Sequence, residues 1–146
     1  MASAGSVAVI LPTTAYILRL KPPPVREMIN KNVIVALGSD FNPNAYCLSM
    51  PVVMHLACVN LRMSLAESLA AATINSAHSL GRSDTHGSIE VNWHHYKISG
   101  KLLLSLQVGK VADLLILNEK KWEHVVYQFG QQDVIRHVVK NGNVVV

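Results

Sequence analysis

Two short stretches of the chain are apolar without interruption: Val7-Ala8-Val9-Ile10-Leu11 and Val33-Ile34-Val35-Ala36-Leu37. A strand with one wet face alternates polar and apolar residues. Continuous hydrophobicity rich in β-branched residues instead suits parallel strands covered on both faces. Gly5 and Pro12 bound the first run, and Gly38 ends the second. Between them, Lys21-Pro22-Pro23-Pro24 has to be extended, because each proline fixes φ and disfavours helix in the residue before it. A short helix is predicted over 24–30, with Pro24 in its first turn. Strand, crossover helix, strand is the grammar of a parallel α/β sheet.

Beyond a polar loop at 39–49, two helices are predicted. The first, over 51–63, is apolar nearly all round and is expected to be buried. The second opens with Ser64-Leu65-Ala66-Glu67, a capping box in which Ser64 and Glu67 each satisfy the other's backbone N–H. Ala-rich sequence carries this helix to about residue 80, and Gly81 supplies a left-handed stop. After that the pattern changes to short apolar runs, around Ile89 and at 114–117, separated by Gly-containing turns. At the end, 134–139 and 144–146 flank Lys140-Asn141-Gly142-Asn143. Asn-Gly between apolar runs is a strong hairpin signal, since both residues tolerate positive φ. The chain thus divides near residue 82 into an α/β piece, 1–82, and a β-rich piece, 83–146.

Composition narrows the field. Half of the 146 residues are hydrophobic and 15% are charged, which excludes a disordered chain. The net charge of +4 is scattered along the chain without a basic block, so no nucleic-acid partner is expected. Cys47 and Cys58 match neither a Cys-x-x-Cys redox pair nor a zinc-knuckle spacing, and read as small buried side chains in a reducing compartment. Neither a secretory leader nor the roughly 20 apolar residues of a membrane span is visible. A cytoplasmic protein with no membrane partner is expected.

Candidate chemistry concentrates in Gly38-Ser39-Asp40-Phe41-Asn42-Pro43-Asn44-Ala45. Asp40 lies three residues past the end of the second predicted strand. Ligands of α/β sheets and barrels bind outside the carboxyl ends of strands, which is where this carboxylate would lie. Local pattern leaves a second reading open, in which Asp40 only caps a turn through its own backbone.

Three ordered motifs bear on that choice: the segment 33–45, Leu69-Ala70-Ala71-Ala72-Thr73-Ile74-Asn75, and Gly109-Lys110-Val111-Ala112-Asp113-Leu114. Together they resemble the end of an amidohydrolase-superfamily enzyme. Leu11-Pro12-Thr13-Thr14-Ala15-Tyr16, Trp122-Glu123-His124 and Tyr127-Gln128-Phe129-Gly130 narrow the resemblance to the imidazolonepropionase family of animals. The resemblance implies the C-terminal part of a (β/α)8 barrel, its strands seven and eight with the helices that follow, plus part of a small β-sandwich domain. It implies one zinc or iron ion, held by a His-x-His pair, a third His and the strand-eight Asp. It further implies hydrolysis of 4-imidazolone-5-propanoate to N-formimino-L-glutamate in histidine degradation, by a homodimer in the complete enzyme. By position, Asp40 is the metal ligand and catalytic proton shuttle, while Asn42, Asn44 and Ala45 line the substrate pocket. Bacterial members carry Gly then Ser or Thr where this chain has Asn44-Ala45.

Two departures qualify the match. A (β/α)8 barrel takes about 250 residues, and no His-x-His occurs among His55, His78, His86, His94, His95, His124 and His137. The chain therefore reads as a C-terminal fragment that retains one metal ligand, with the metal not expected to stay bound and turnover not expected from the fragment alone. The segment 91–107 has no counterpart in the family, and reads either as a lineage-specific loop or as retained intron sequence. Two other readings stay open: a non-catalytic form that binds the full-length subunit, and another amidohydrolase-superfamily enzyme such as a cytosine or guanine deaminase.

Overall fold

The structure is a computed structural model that describes residues 1–89, 109–131 and 133–146. The segment 91–107 singled out above lies outside the described residues, as do His94 and His95.

Strand β1 (Ala8–Ile10) pairs in parallel with β2 (Val35–Leu37), with Ala8 opposite Val35 and Ile10 opposite Leu37. Both strands are shorter than their apolar runs. At the first, Leu11 turns away from extended geometry (φ −120°, ψ 74°) to start helix α1 (Pro12–Ile17). Pro12 was expected only to end the strand. It also occupies the first helical position, where its missing N–H costs nothing. The crossover therefore holds two short helices, α1 and α2 (Val25–Asn30). The proline run between them ends in a tight turn at Pro24 (φ −78°, ψ 61°), where the Val25 N–H donates to the Pro23 carbonyl at 2.8 Å, rather than running extended throughout as its sequence implied.

Ala8, Ile10, Val35 and Leu37 bury one face of the sheet against Val25 of α2 and the apolar stripe of α3 (Met50–Leu61). That stripe, Val53, Met54, Ala57 and Leu61, follows helical spacing. Val59, on the far side, is 62% exposed, so α3 is not buried all round as its sequence implied.

The capping box forms as predicted: Ser64 Oγ accepts from the Glu67 N–H (3.2 Å), and Glu67 Oε2 accepts from the Ser64 N–H (2.8 Å). The single long helix expected after it is two, α4 (Leu65–Ala72) and α5 (Ile74–Ser79). Thr73 breaks it (φ −121°, ψ −93°), its hydroxyl donating to the Leu69 carbonyl at 2.7 Å. The competing interaction is tertiary. Across the break, Asn75 Nδ2 donates to the Val35 carbonyl (2.8 Å), and the single Ser76 hydroxyl proton is shared between the Ala71 carbonyl (2.7 Å) and the Leu37 carbonyl (3.0 Å). Helix α5 is thus held along the side of β2 that faces away from β1. Gly81 ends α5 in the left-handed region (φ 66°), as expected.

Arg26 of α2 reaches Glu67 of α4 through two bonds, Nη1 to Oε2 at 2.9 Å and Nη2 to Oε1 at 2.6 Å. The guanidinium and the Ser64 N–H lower the Glu67 pKa to about 2. A depressed carboxylate stabilises the fold fully above its unfolded pKa and ceases to do so as pH falls through the folded value. Stability should accordingly decline between about pH 4.5 and 2. Glu67→Gln should flatten that part of an acid-unfolding profile while leaving its neutral limb in shape, and an unchanged acid limb would count against the pair.

In the second piece, β3 (Leu114–Leu117), β4 (Ile135–Lys140) and β5 (Asn143–Val144) form an antiparallel sheet in that order. Lys140 lies opposite Asn143, so Asn141-Gly142 is a two-residue turn, with φ 51° and 80°. Positive φ at both positions gives the primed twist that hairpins favour. Asp113 anchors this turn, accepting from the Asn141 N–H at 2.9 Å and from Lys140 Nζ. Lys140 and Asn141 hold its carboxyl below the usual range. Ile89, expected in a strand, lies in none. Helix α6 (His124–Tyr127) was not foreseen; its Val126 is 1% exposed and sits in the same core cluster as Val53 and Leu61. The change near residue 82 is thus one of element type, while the two pieces share apolar packing.

Candidate active site

The carboxyl ends of β1 and β2 lie side by side, because the strands are parallel and in register. From β1 the chain enters α1, which sets Thr13 and Thr14 in its first turn. From β2 it passes Gly38 and Ser39 to Asp40. Thr13 Oγ1 donates to the Ser39 carbonyl at 3.0 Å, and Thr14 Oγ1 donates to Asp40 Oδ2 at 2.8 Å. The carboxylate is exposed. Its backbone is left-handed (φ 49°), a conformation that costs a residue with a Cβ about 1–2 kcal/mol but that Asp tolerates better than most.

The loop that follows is organised by Asn42. Its Nδ2 donates to the Asp40 carbonyl at 2.6 Å, and its Oδ1 accepts from the N–H groups of Asn44 (2.9 Å) and Ala45 (3.2 Å). Asn42 and Ala45 also form an isolated antiparallel bridge, which closes a tight turn over Pro43-Asn44. Phe41 and Tyr46 pack edge to face with ring centres 4.7 Å apart. Of the positions assigned above to a substrate pocket, Asn44 is exposed at the turn tip and Ala45 is fully buried. Asn42 spends its amide on the loop backbone. The structure thus brings Asp40 and Asn42 together, and adds two hydroxyls, Thr13 and Thr14, that sequence reasoning quoted without giving them a role. Their signal is positional: hydroxyl residues directly after the neighbouring parallel strand.

Three of the described histidines are engaged away from Asp40. His55 stacks on Phe129 (centroids 3.9 Å) with Nδ1 3.2 Å from the Val126 carbonyl. His86 contacts Thr85, and His137 contacts the Val146 carbonyl. Among the described residues no three His, Cys, Asp or Glu side chains converge on a metal-sized site. Asp40 suits a hard divalent cation as one oxygen donor. A catalytic zinc site takes three protein ligands plus water, so the described residues do not hold such an ion by themselves.

The model of the amidohydrolase family matches residues 3–94, and the chain belongs to that family. A Nematostella vectensis protein named probable imidazolonepropionase is 57% identical over 146 residues, covering 99% of this chain and 30% of the relative. Human and Dictyostelium discoideum proteins of the same name are 55% and 53% identical with the same coverage. The chain therefore spans about 30% of the length of the curated relatives it matches. Among solved structures, E. coli guanine deaminase superposes with a TM-score of 0.72 at 19% identity, over 99% of this chain and 34% of the deaminase. An adenosine deaminase from Xanthomonas campestris with bound zinc gives 0.74 at 21%, over 98% and 32%. At that identity the likeness establishes an amidohydrolase-type fold and says nothing of substrate.

Proposed function

We propose that this chain is the C-terminal part of an imidazolonepropionase, with β1 and β2 as the last two strands of its (β/α)8 barrel. The reaction is the hydrolytic opening of 4-imidazolone-5-propanoate to N-formimino-L-glutamate. The observation that carries this reading is the exposed Asp40 carboxylate, held by Thr14 at the carboxyl ends of two parallel strands. The 55–57% identity to relatives of that name supports it over a deaminase. A divalent ion, zinc or iron, would supply water with a pKa near about 7, and Asp40 would be one of its ligands. Asp40 would accept a proton from the attacking water and deliver it to the ring nitrogen as the carbon–nitrogen bond breaks. Asn42 would keep the Asp40 loop closed, and Asn44, exposed at the turn tip, would border the substrate, while the fully buried Ala45 would only support the turn. Because Asp40 is a single ligand, turnover would require the rest of the barrel.

The test is a chimera in which this chain replaces the corresponding third of the Nematostella relative. Loaded with zinc or iron, it should convert 4-imidazolone-5-propanoate to a product heavier by one water, while the isolated chain should not. A folded, metal-loaded chimera that leaves this substrate untouched and releases ammonia from a nucleobase would overturn the reading.

A further inference from the structure

Of the groups around Asp40, one hydroxyl bears on the reacting carboxylate itself. We infer that Thr14 is a positioning residue, whose hydroxyl selects the orientation from which the Asp40 carboxylate would bind a divalent ion and accept a proton from water; this rests on the function proposed for Asp40. An exposed Asp side chain has several staggered rotamers open to it. Here the Thr14 Oγ1–Asp40 Oδ2 bond, 2.8 Å long and 26 residues apart in sequence, singles one out. A carboxylate only accepts hydrogen bonds, so the hydroxyl must be the donor. The bond takes up one of roughly four lone-pair directions and leaves the others for chemistry.

The hydroxyl is itself well held. Pro12 opens α1, and Thr13, 3% exposed, fastens the first turn of that helix to the Ser39 carbonyl at 3.0 Å. Main chain before Asp40 and side chain of Asp40 are thus gripped by consecutive residues of one rigid turn. Asn42 fixes the carbonyl of Asp40 from the other side at 2.6 Å. With the backbone pinned at both ends, the remaining freedom of Asp40 is its side-chain torsion, and Thr14 is the group that restrains it. Hydrogen-bond partners of metal-ligating side chains are typically worth about 10–100-fold in activity or metal affinity.

The experiment uses the metal-loaded full-length chimera with Thr14→Val, which keeps the shape and loses the hydroxyl, and Thr14→Ser, which keeps the hydroxyl. Thr14→Val should lose about 10–100-fold in kcat, with KM within about twofold because the hydroxyl faces the carboxylate. Zinc content after dialysis is the second readout. A kcat loss with zinc retained places the hydroxyl in service of proton transfer, and loss of both places it in service of the ligand; each supports the inference. Thr14→Ser should recover most of the activity, since a structural role for the methyl group would not be rescued that way. Full activity and full zinc in Thr14→Val, or equal damage in Thr14→Ser, would overturn it. Should Thr14→Val fail to fold, Thr14→Ala replaces it with the same criteria. Asp40→Asn is assayed alongside: if it is active, the role of Asp40 falls; if it is inactive while Thr14→Val is fully active, only the Thr14 inference falls.

Discussion

Asp40→Asn in the metal-loaded chimera should abolish turnover, with a loss of at least about 10²–10⁴ in kcat, and leave the fold unchanged. The asparagine amide is nearly isosteric with the carboxylate. Its oxygen can still accept from the Thr14 hydroxyl, and asparagine is among the residues that tolerate the left-handed backbone found at this position (φ 49°). What it lacks is charge and basicity. An amide oxygen neutralises a cation poorly, and it takes no proton from water near neutral pH. Circular dichroism and the thermal midpoint should therefore match the parent while kcat at saturating metal collapses. A variant keeping half its activity would make Asp40 a turn residue and nothing more.

Gly87→Ala should be the most damaging of the glycine-to-alanine changes among the described residues. A Cβ on Gly87 would lie 2.8 Å from Ile74 Cα, 2.9 Å from Ala77 Cβ and 2.9 Å from the Thr73 carbonyl oxygen. These atoms belong to, or hang directly from, the backbone at the start of α5, so none can swing aside. The position also has φ +90°, a conformation an L-residue adopts at a cost. Overpacking and backbone strain together predict a loss of about 2–4 kcal/mol. Gly109→Ala separates the two contributions, since Gly109 has φ +102° and, among the described residues, nothing within 4 Å of its added Cβ. Denaturant midpoints of both variants in the chimera settle the point. Gly87→Ala should fall well below Gly109→Ala, and equal losses would show that close packing against α5 contributes nothing.

The features legible in the sequence are those governed by local rules. Uninterrupted β-branched runs marked β1 and β2, the Ser-x-x-Glu spacing marked the start of α4, and Asn141-Gly142 marked the final turn. Asp40 was placed beyond the end of β2 by position and given its role by resemblance. What sequence did not disclose was decided at long range. Pro12 obeys the rule for ending a strand and the rule for opening a helix, and only the structure shows that it does both. The alanine-rich stretch after Ser64 has every local reason to continue. It breaks at Thr73 where Asn75 and Ser76 meet β2, a contact between residues about 40 positions apart. Thr14 was invisible as a partner of Asp40 for the same reason. His55 looked like an ordinary helical histidine, and it is the ring on which Phe129 of the second piece comes to rest.

The grip of Asn75 and Ser76 on β2 also bears on how the proposed barrel would close. Exposed strand margins are templates on which further chains can add, and the carbonyls of Val35 and Leu37 form part of such a margin. Here amide and hydroxyl side chains already occupy them in the way an adjacent strand would. A strand that joins β2 on this side must share these acceptors with Asn75 and Ser76. In the complete barrel proposed above, that strand would be the first, pairing with β2 as the eighth, so the same two polar residues that bend the helical segment would sit at the seam where the barrel closes.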